Sequence, residues 1–278
     1  MHTPSYDPKA DFDTLLHTLM RMVDAQAGTP IPPGQEWLND RQTLARKLVL
    51  HLISVGGIQA GGTLVIDGKY APFVDHGSVN VMLRAVIENF IVFAVIYGRE
   101  DDETCRFRHM AWKVSGLNDR QRRFAKAQEL RDKLAEEKTQ IEALIEQIRK
   151  FPQFLALSER RQAAFIKDRD WGLGRKWPEL AEEAGFHPEY FRNVYYFLCD
   201  YSHSSWNAAM QTGQATPEDQ RDMATSMLGV ANFCMAHFMK LYKELFAVAR
   251  EVLAASGAVP AFKRWSYGAE AQGAHYGG

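Results

Sequence analysis

The stretch from residue 79 to residue 97, VNVMLRAVIENFIVFAVIY, restricts the folds open to this chain more than any other segment. It is apolar on nearly every side, and a helix that is apolar all round is buried all round. Its length would suit a membrane span. Yet it carries Asn80, Arg84, Glu88 and Asn89, and a charge at a bilayer centre costs about 2.5–3.5 kcal/mol on insertion scales. No second span is present to shelter those groups. The segment is therefore expected to be the core helix of a soluble bundle, with no membrane contact.

Asn80, Arg84 and Glu88 recur at i, i+4 and i+8, so they share one face of that helix. Buried charges must be paired. Arg84 has five donors and Glu88 two acceptor oxygens, more than one mutual contact satisfies. The stripe predicts further polar partners inside the bundle. It reads either as a buried ion pair that fixes helix register or as a site, since ionisable groups in apolar surroundings often mark one.

The rest of the chain reads as helices. An amphipathic pattern with Phe12, Leu15, Leu16, Leu19, Met22 and Val23 runs over 10–26 and is broken by TPIPPG. A second helix covers about 39–59 and ends in a glycine-rich stretch. Residues 63–74 are the one strand candidate: TLVI, Asp67-Gly68 and KYAPFV suggest a hairpin, while Pro72 disfavours a regular second strand, so hairpin and folded loop both stay open. Shorter helices are expected over 102–114 and 158–167, and one opening at His187-Pro188-Glu189 reaches about His203. Thr216-Pro217-Glu218-Asp219 starts a last helix extending to about 255. Between them, a long polar helix over 118–151 places Ala127, Leu130, Leu134, Glu137, Ile141, Leu144 and Ile148 at alternating spacings of 3 and 4. That is a heptad seam, expected on a projecting arm that packs one edge on a neighbouring helix or on a second copy of the chain. The fold class that follows is all-α, a multi-helix bundle with a long helical arm and at most one short β-hairpin. Residues 1–257 are expected to form a single domain, and 258–278 a mobile tail.

Composition bounds the partners. Formal net charge is −1 over 278 residues, so no global field recruits nucleic acid or acidic membrane. Binding of RNA would need a local patch. Arg106, Arg108, His109, Lys113, Arg120, Arg122, Arg123 and Lys126 supply one candidate, which is otherwise a solvated face. Cys105, Cys199 and Cys234 form no CxxC pair, and this sparse, odd count together with the lack of a leader-like N-terminus points to a cytoplasmic protein. No HxxxH or ExxH pair on one helix supports a metal site, GGIQAGG lacks the Lys-Ser/Thr of a phosphate loop, and no cofactor is expected.

The best supply of partners for the stripe is FRNVYYFLCDYSHSSW, residues 191–206. On one continuous helix Arg192, Tyr196, Cys199, His203 and Trp206 would fall near one face, and hydroxyls surround His203. Histidine can carry protons near neutral pH, and arginine offers a fork of donors to phosphate or carboxylate. The expected contact is His203 or Ser202 against Arg84 or Glu88. Arg84, Glu88, Ser202 and His203 are the catalytic candidates, and Asn80, Arg192, Tyr196 and Tyr201 the ligand-binding ones.

These residues resemble a bacterial family of helical domains of unknown function. The pattern is Arg84-x-x-x-Glu88 on an apolar helix, then Trp171-Gly172, Leu180-Ala181, and Tyr201-Ser202-His203, spanning roughly residues 48–206. A looser resemblance is to the HEPN domains (higher eukaryotes and prokaryotes nucleotide-binding), many of them dimeric, metal-independent ribonucleases of toxin or phage-defence systems. Their signature is Arg, often Arg-Asn, four to six residues before His. Here ten residues separate Arg192 from His203, roughly 16 Å along a helix, and Arg46 to His51 has the spacing without the Asn. Two readings follow: a bundle that binds a partner or small polar ligand at an internal Arg/Glu/His cluster, or an HEPN-like ribonuclease. Whether the chain is an enzyme stays open.

Overall fold

The computed structural model describes residues 7–99, 101–123 and 126–274. In chain order its elements are α1 (Pro8–Gln26), α2 (Asn39–Gln59), β1 (Gly62–Ile66), β2 (Lys69–Phe73), α3 (His76–Tyr97), α4 (Asp102–Gln121), α5 (Gln128–Ile148), α6 (Pro152–Leu155), α7 (Glu159–Asp168), α8 (Trp177–Glu183), α9 (Pro188–Ser202), α10 (Trp206–Gln214), α11 (Pro217–Ser226), α12 (Leu228–Leu245), α13 (Ala247–Ala254), α14 (Val259–Trp265) and α15 (Ala269–Ala274). The fold is an all-α multi-helix bundle, and its strands form one antiparallel hairpin. Packing separates the chain into two compact units, Met1–Ala94 with Ala184–Gly278, and Val95–Glu183.

The first unit is organised around α12, whose residues from Val230 to Ala236 are all buried. The apolar stripe of α1 (Phe12, Leu15, Leu19 and Met22) lies against α12 and α13. Polar clamps fix the helices around it. Tyr242 of α12 donates to Gln42 Oε1, whose Nε2 donates to the Val23 carbonyl, and Asn89 of α3 donates to the Leu44 carbonyl at 2.9 Å. Among the described residues α3 alone is long and apolar enough to cross a membrane, and 67% of its most apolar window is buried inside the protein, which is the environment of a core helix.

The C-terminal segment differs from the mobile tail expected of it. Trp265 of α14 is buried and donates to Asp11 Oδ2 at 2.9 Å, while Arg264 pairs with the same oxygen. Further on, Gln272 accepts from the backbone N–H of His187 at 2.7 Å, a donor left over at the start of α9. The glycines and alanines of 258–274 hid two helices, anchored among others by Trp265 and Arg264 in the first and Gln272 in the second. The expected last helix is also three, broken at Met227 and Phe246. The Thr216 start is as expected: its side chain and Asp219 form a reciprocal capping box.

In the second unit the long polar helix starts later than expected. Gly116 lies inside α4 rather than ending it. The break comes after Gln121, and α5 turns back antiparallel along α4. Arg120 pairs with Glu137, and Gln121 donates to the Leu134 carbonyl. The heptad seam is half used. Ile141 and Ile148 join Phe107, Met110, Val114, Phe154 and Phe165 in one apolar cluster, with Ile145 added and Leu144 at its edge, whereas Ala127 and Leu130 stay exposed.

Candidate functional site

The cluster forms where α3 meets the end of α9. On α3, Arg84 Nε donates to Glu88 Oε1 at 2.9 Å, the i, i+4 pair that the spacing implies. The same oxygen accepts from the Tyr195 hydroxyl at 2.7 Å. The guanidinium lies over the Tyr195 ring, 5.5 Å from its centroid. On its other side, Arg84 Nη1 approaches His203 Nε2 at 3.3 Å. The expected α3-to-His203 contact is thus present.

Its setting is different from the one expected. The side chains of Arg84 and Glu88 keep 25% and 31% of their surface in solvent, and His203 is exposed. The cluster opens at the surface; it is not internal. Val81, on the same helix, is exposed too, so α3 is not covered all round. Asn80 is the buried member of the stripe, and its Oδ1 has no hydrogen-bond partner among the described residues.

Helix-end geometry explains where His203 sits. Asp200 and Tyr201 accept from the backbone N–H groups of Ser205 and Ser204, and Ser204 is left-handed with φ +51°. This is a Schellman-type ending with serine where glycine is usual. It turns the chain out of α9 immediately after His203, and Ser205 then caps α10 by accepting from the Ala208 N–H. Trp206 accordingly leaves the face it would share on a continuous helix. It starts α10, 75% exposed.

The other candidates separate by role. Ser202 donates back to the Leu198 carbonyl at 3.1 Å. Tyr201 is buried, donates to Gln211 Oε1 and meets the His76 ring edge-on. Arg192 and Tyr196 are exposed on the outer side of α9. Sequence reading missed Tyr195. The signal was available: Phe191, Tyr195 and Leu198 make the buried face of α9, and a buried phenol seeks an acceptor that Glu88 could supply.

Electrostatics keep Arg84 charged. Burial works against the Arg84 cation, but the Tyr195 and Glu88 contacts outweigh it and its pKa rises. Burial, with the Glu88 hydrogen bond, pushes the Tyr195 phenol up, so it remains a donor. Burial also raises the Cys199 thiol one turn before His203, which makes it a poor nucleophile. Among the described residues no group of three or more His, Cys, Asp or Glu side chains could hold a metal ion.

A second charged cluster, not anticipated, lies in the other unit. Glu183 at the end of α8 receives Arg108, Arg175 and Arg99. Arg108 also donates to the Val95 carbonyl at 2.6 Å, and Arg175 Nε to the Gly172 carbonyl at 2.9 Å. Asp170 shapes the Trp171-Gly172 turn by accepting from the N–H groups of Gly172 and Gly174, each at 3.0 Å. Trp171 and Trp177 meet edge-to-face, and Leu180 and Ala181 are core. This cluster divides the basic region: Arg108 is engaged by Glu183, Arg120 by Glu137, and His109 is buried, whereas Arg106, Lys113, Arg122, Arg123 and Lys126 are exposed.

No curated protein and no solved structure matches the chain. A family model does, over residues 73–221, which is more than half of the sequence and includes both charged clusters. The chain belongs to DUF5677, a family of unknown function.

Proposed function

We propose that the Arg84–His203 pair binds a phosphate-bearing ligand at the protein surface. One observation carries this reading: an exposed imidazole and a guanidinium from two helices converge at 3.3 Å. An arginine fork and an imidazole N–H both donate to oxyanions. Glu88 and Tyr195 hold the guanidinium in place, which reduces the entropy lost on binding. The test is titration with inorganic phosphate, followed by the His203 ring resonances. Saturable shifts in the wild type, lost in Arg84→Gln, support the site. Equal behaviour of the two proteins refutes it.

A second reading, metal-independent RNA cleavage of the HEPN type, draws support from exposed aromatics on α9 and α10. Tyr196 and Trp206 keep 60% and 75% of their surface in solvent, and exposed aromatic faces can stack single-stranded bases. His203 would take the proton of the attacking 2′-hydroxyl and return it to the 5′-oxygen that departs as the P–O5′ bond breaks, while Arg84 would neutralise charge on the phosphoryl oxygens. RNA cleavage in the presence of a chelator, wild type against His203→Ala, decides it: identical rates would sink the nuclease while leaving anion binding standing.

A further inference from the structure

The hairpin is an apolar element that none of the described residues covers. Every residue of β1 and β2 is exposed. Leu64, Val65, Ile66, Tyr70 and Phe73 are among the exposed large hydrophobics, with Tyr70 at 78%. Strand alternation puts Leu64, Ile66 and Phe73 on one face of the hairpin and Val65 and Tyr70 on the other, so neither face is a polar one. A two-stranded hairpin is marginal by itself in water.

Its register identifies the strand edge that can accept a partner. Asp67 and Gly68 both have positive φ, as a type I′ turn requires. The flanking pair Ile66↔Lys69 closes that turn and is hydrogen-bonded, so by alternation Val65↔Tyr70 and Thr63↔Pro72 are non-hydrogen-bonded pairs. The Pro72 nitrogen therefore falls on the outer edge of β2, which lacks a donor there. Thr63 and Val65 direct N–H and C=O groups outward from β1, leaving that edge intact. Unprotected edges of this kind are templates for pairing with another chain.

We propose that β1 pairs with β1 of a second copy of this chain, antiparallel across a two-fold axis centred on Leu64, giving a four-stranded sheet. Thr63 of each copy then faces Val65 of the other and exchanges both backbone bonds with it. The two Leu64 side chains meet at the axis as a close, non-hydrogen-bonded pair. The segment suits a like partner because its two charges, Asp67 and Lys69, cancel, and because an isologous contact needs one self-complementary patch. This inference is independent of the anion site.

Sedimentation of the full chain over a concentration series tests it. The wild type is expected to dimerise. Val65→Pro removes one outward donor of β1 while leaving the hairpin's own ladder intact, so it should give a monomer with unchanged circular dichroism. Leu64→Cys should form a covalent dimer on oxidation that the wild type does not form. A wild type that stays monomeric at every concentration overturns the proposal, as does a dimer that survives Val65→Pro without crosslinking through Leu64→Cys. A monomer that instead binds lipid vesicles through the hairpin overturns it too.

Discussion

Glu88 and Glu183 are both carboxylates approached by arginine within a largely apolar fold, and they end in different states. Glu183 is surrounded: three guanidiniums converge on its two oxygens, and two of them also hold backbone carbonyls. Glu88 has one arginine and one phenol on a single oxygen, and that arginine continues to an exposed histidine. The first arrangement uses its donors to bind α4, α8 and the loop before α8 together. The second keeps exposed donors on a prepositioned side chain. A carboxylate saturated with partners acts as a structural joint, and one that steadies an accessible cation suits the base of the proposed site.

The largest expected effect comes from breaking the saturated cluster. Glu183→Ala leaves the mostly buried guanidiniums of Arg108 and Arg175 without their carboxylate, beside the half-exposed Arg99, and should cost on the order of 3–5 kcal/mol, read from denaturant unfolding. A loss under 1 kcal/mol would show that the cluster is solvated and that the contrast is misdrawn. Acid should separate the two units next. His237 of α12 donates through Nε2 to the Tyr267 carbonyl, and burial lowers its pKa to about 4. An unfolded imidazole titrates near 6.5. The unfolded chain therefore binds the extra proton between those values, and stability present above about pH 6.5 falls by roughly 3 kcal/mol as pH drops toward 4. For Glu183, burial raises the carboxyl, but the hydrogen bonds from Arg108 and Arg99 outweigh it and hold it below its usual 4.5. Its stabilisation is present above that value and is lost only as pH falls through the lowered one. Hydrogen exchange across this range should show α12 losing protection before α4 and α8, and simultaneous loss would contradict the assignment. The smallest effect belongs to Arg84→Ala. Its partly solvated pair should cost about 1 kcal/mol with the fold retained, and a loss above 3 kcal/mol would make the pair a structural joint like Glu183.

The contact between α3 and His203 was legible because polar residues at i, i+4 and i+8 on an apolar helix demand partners, and one histidine-bearing segment could supply them. Its degree of burial was not legible, since α3 is also apolar on the side of Val81, which the described residues leave exposed. Tyr195 was hidden by Tyr196: adjacent tyrosines point to different sides of a helix, and only the packed structure shows which one faces Glu88. The Glu183 cluster joins residues up to 84 positions apart, Arg99 to Glu183, with no periodicity to connect them. The helix expected over 102–114 continues through Gly116 to Gln121, held by Val114 and Leu117 in the apolar cluster. The hairpin was legible from Asp67-Gly68, and the objection from Pro72 falls because its nitrogen lies on the outer edge.

The bond from Trp265 to Asp11 ties the last part of the chain to the first helix. It also sets an order of events during synthesis. Residues 95–183 are contiguous and can collapse as soon as they emerge, whereas α1 must wait for α12, α13 and Trp265 before its apolar stripe is covered. For most of translation that stripe is exposed to solvent and to chaperones. Ending the chain at 257 would keep α12 and α13 but remove the bonds of Trp265 and Arg264 to Asp11, so the shortened protein should unfold at a lower denaturant midpoint than the full chain.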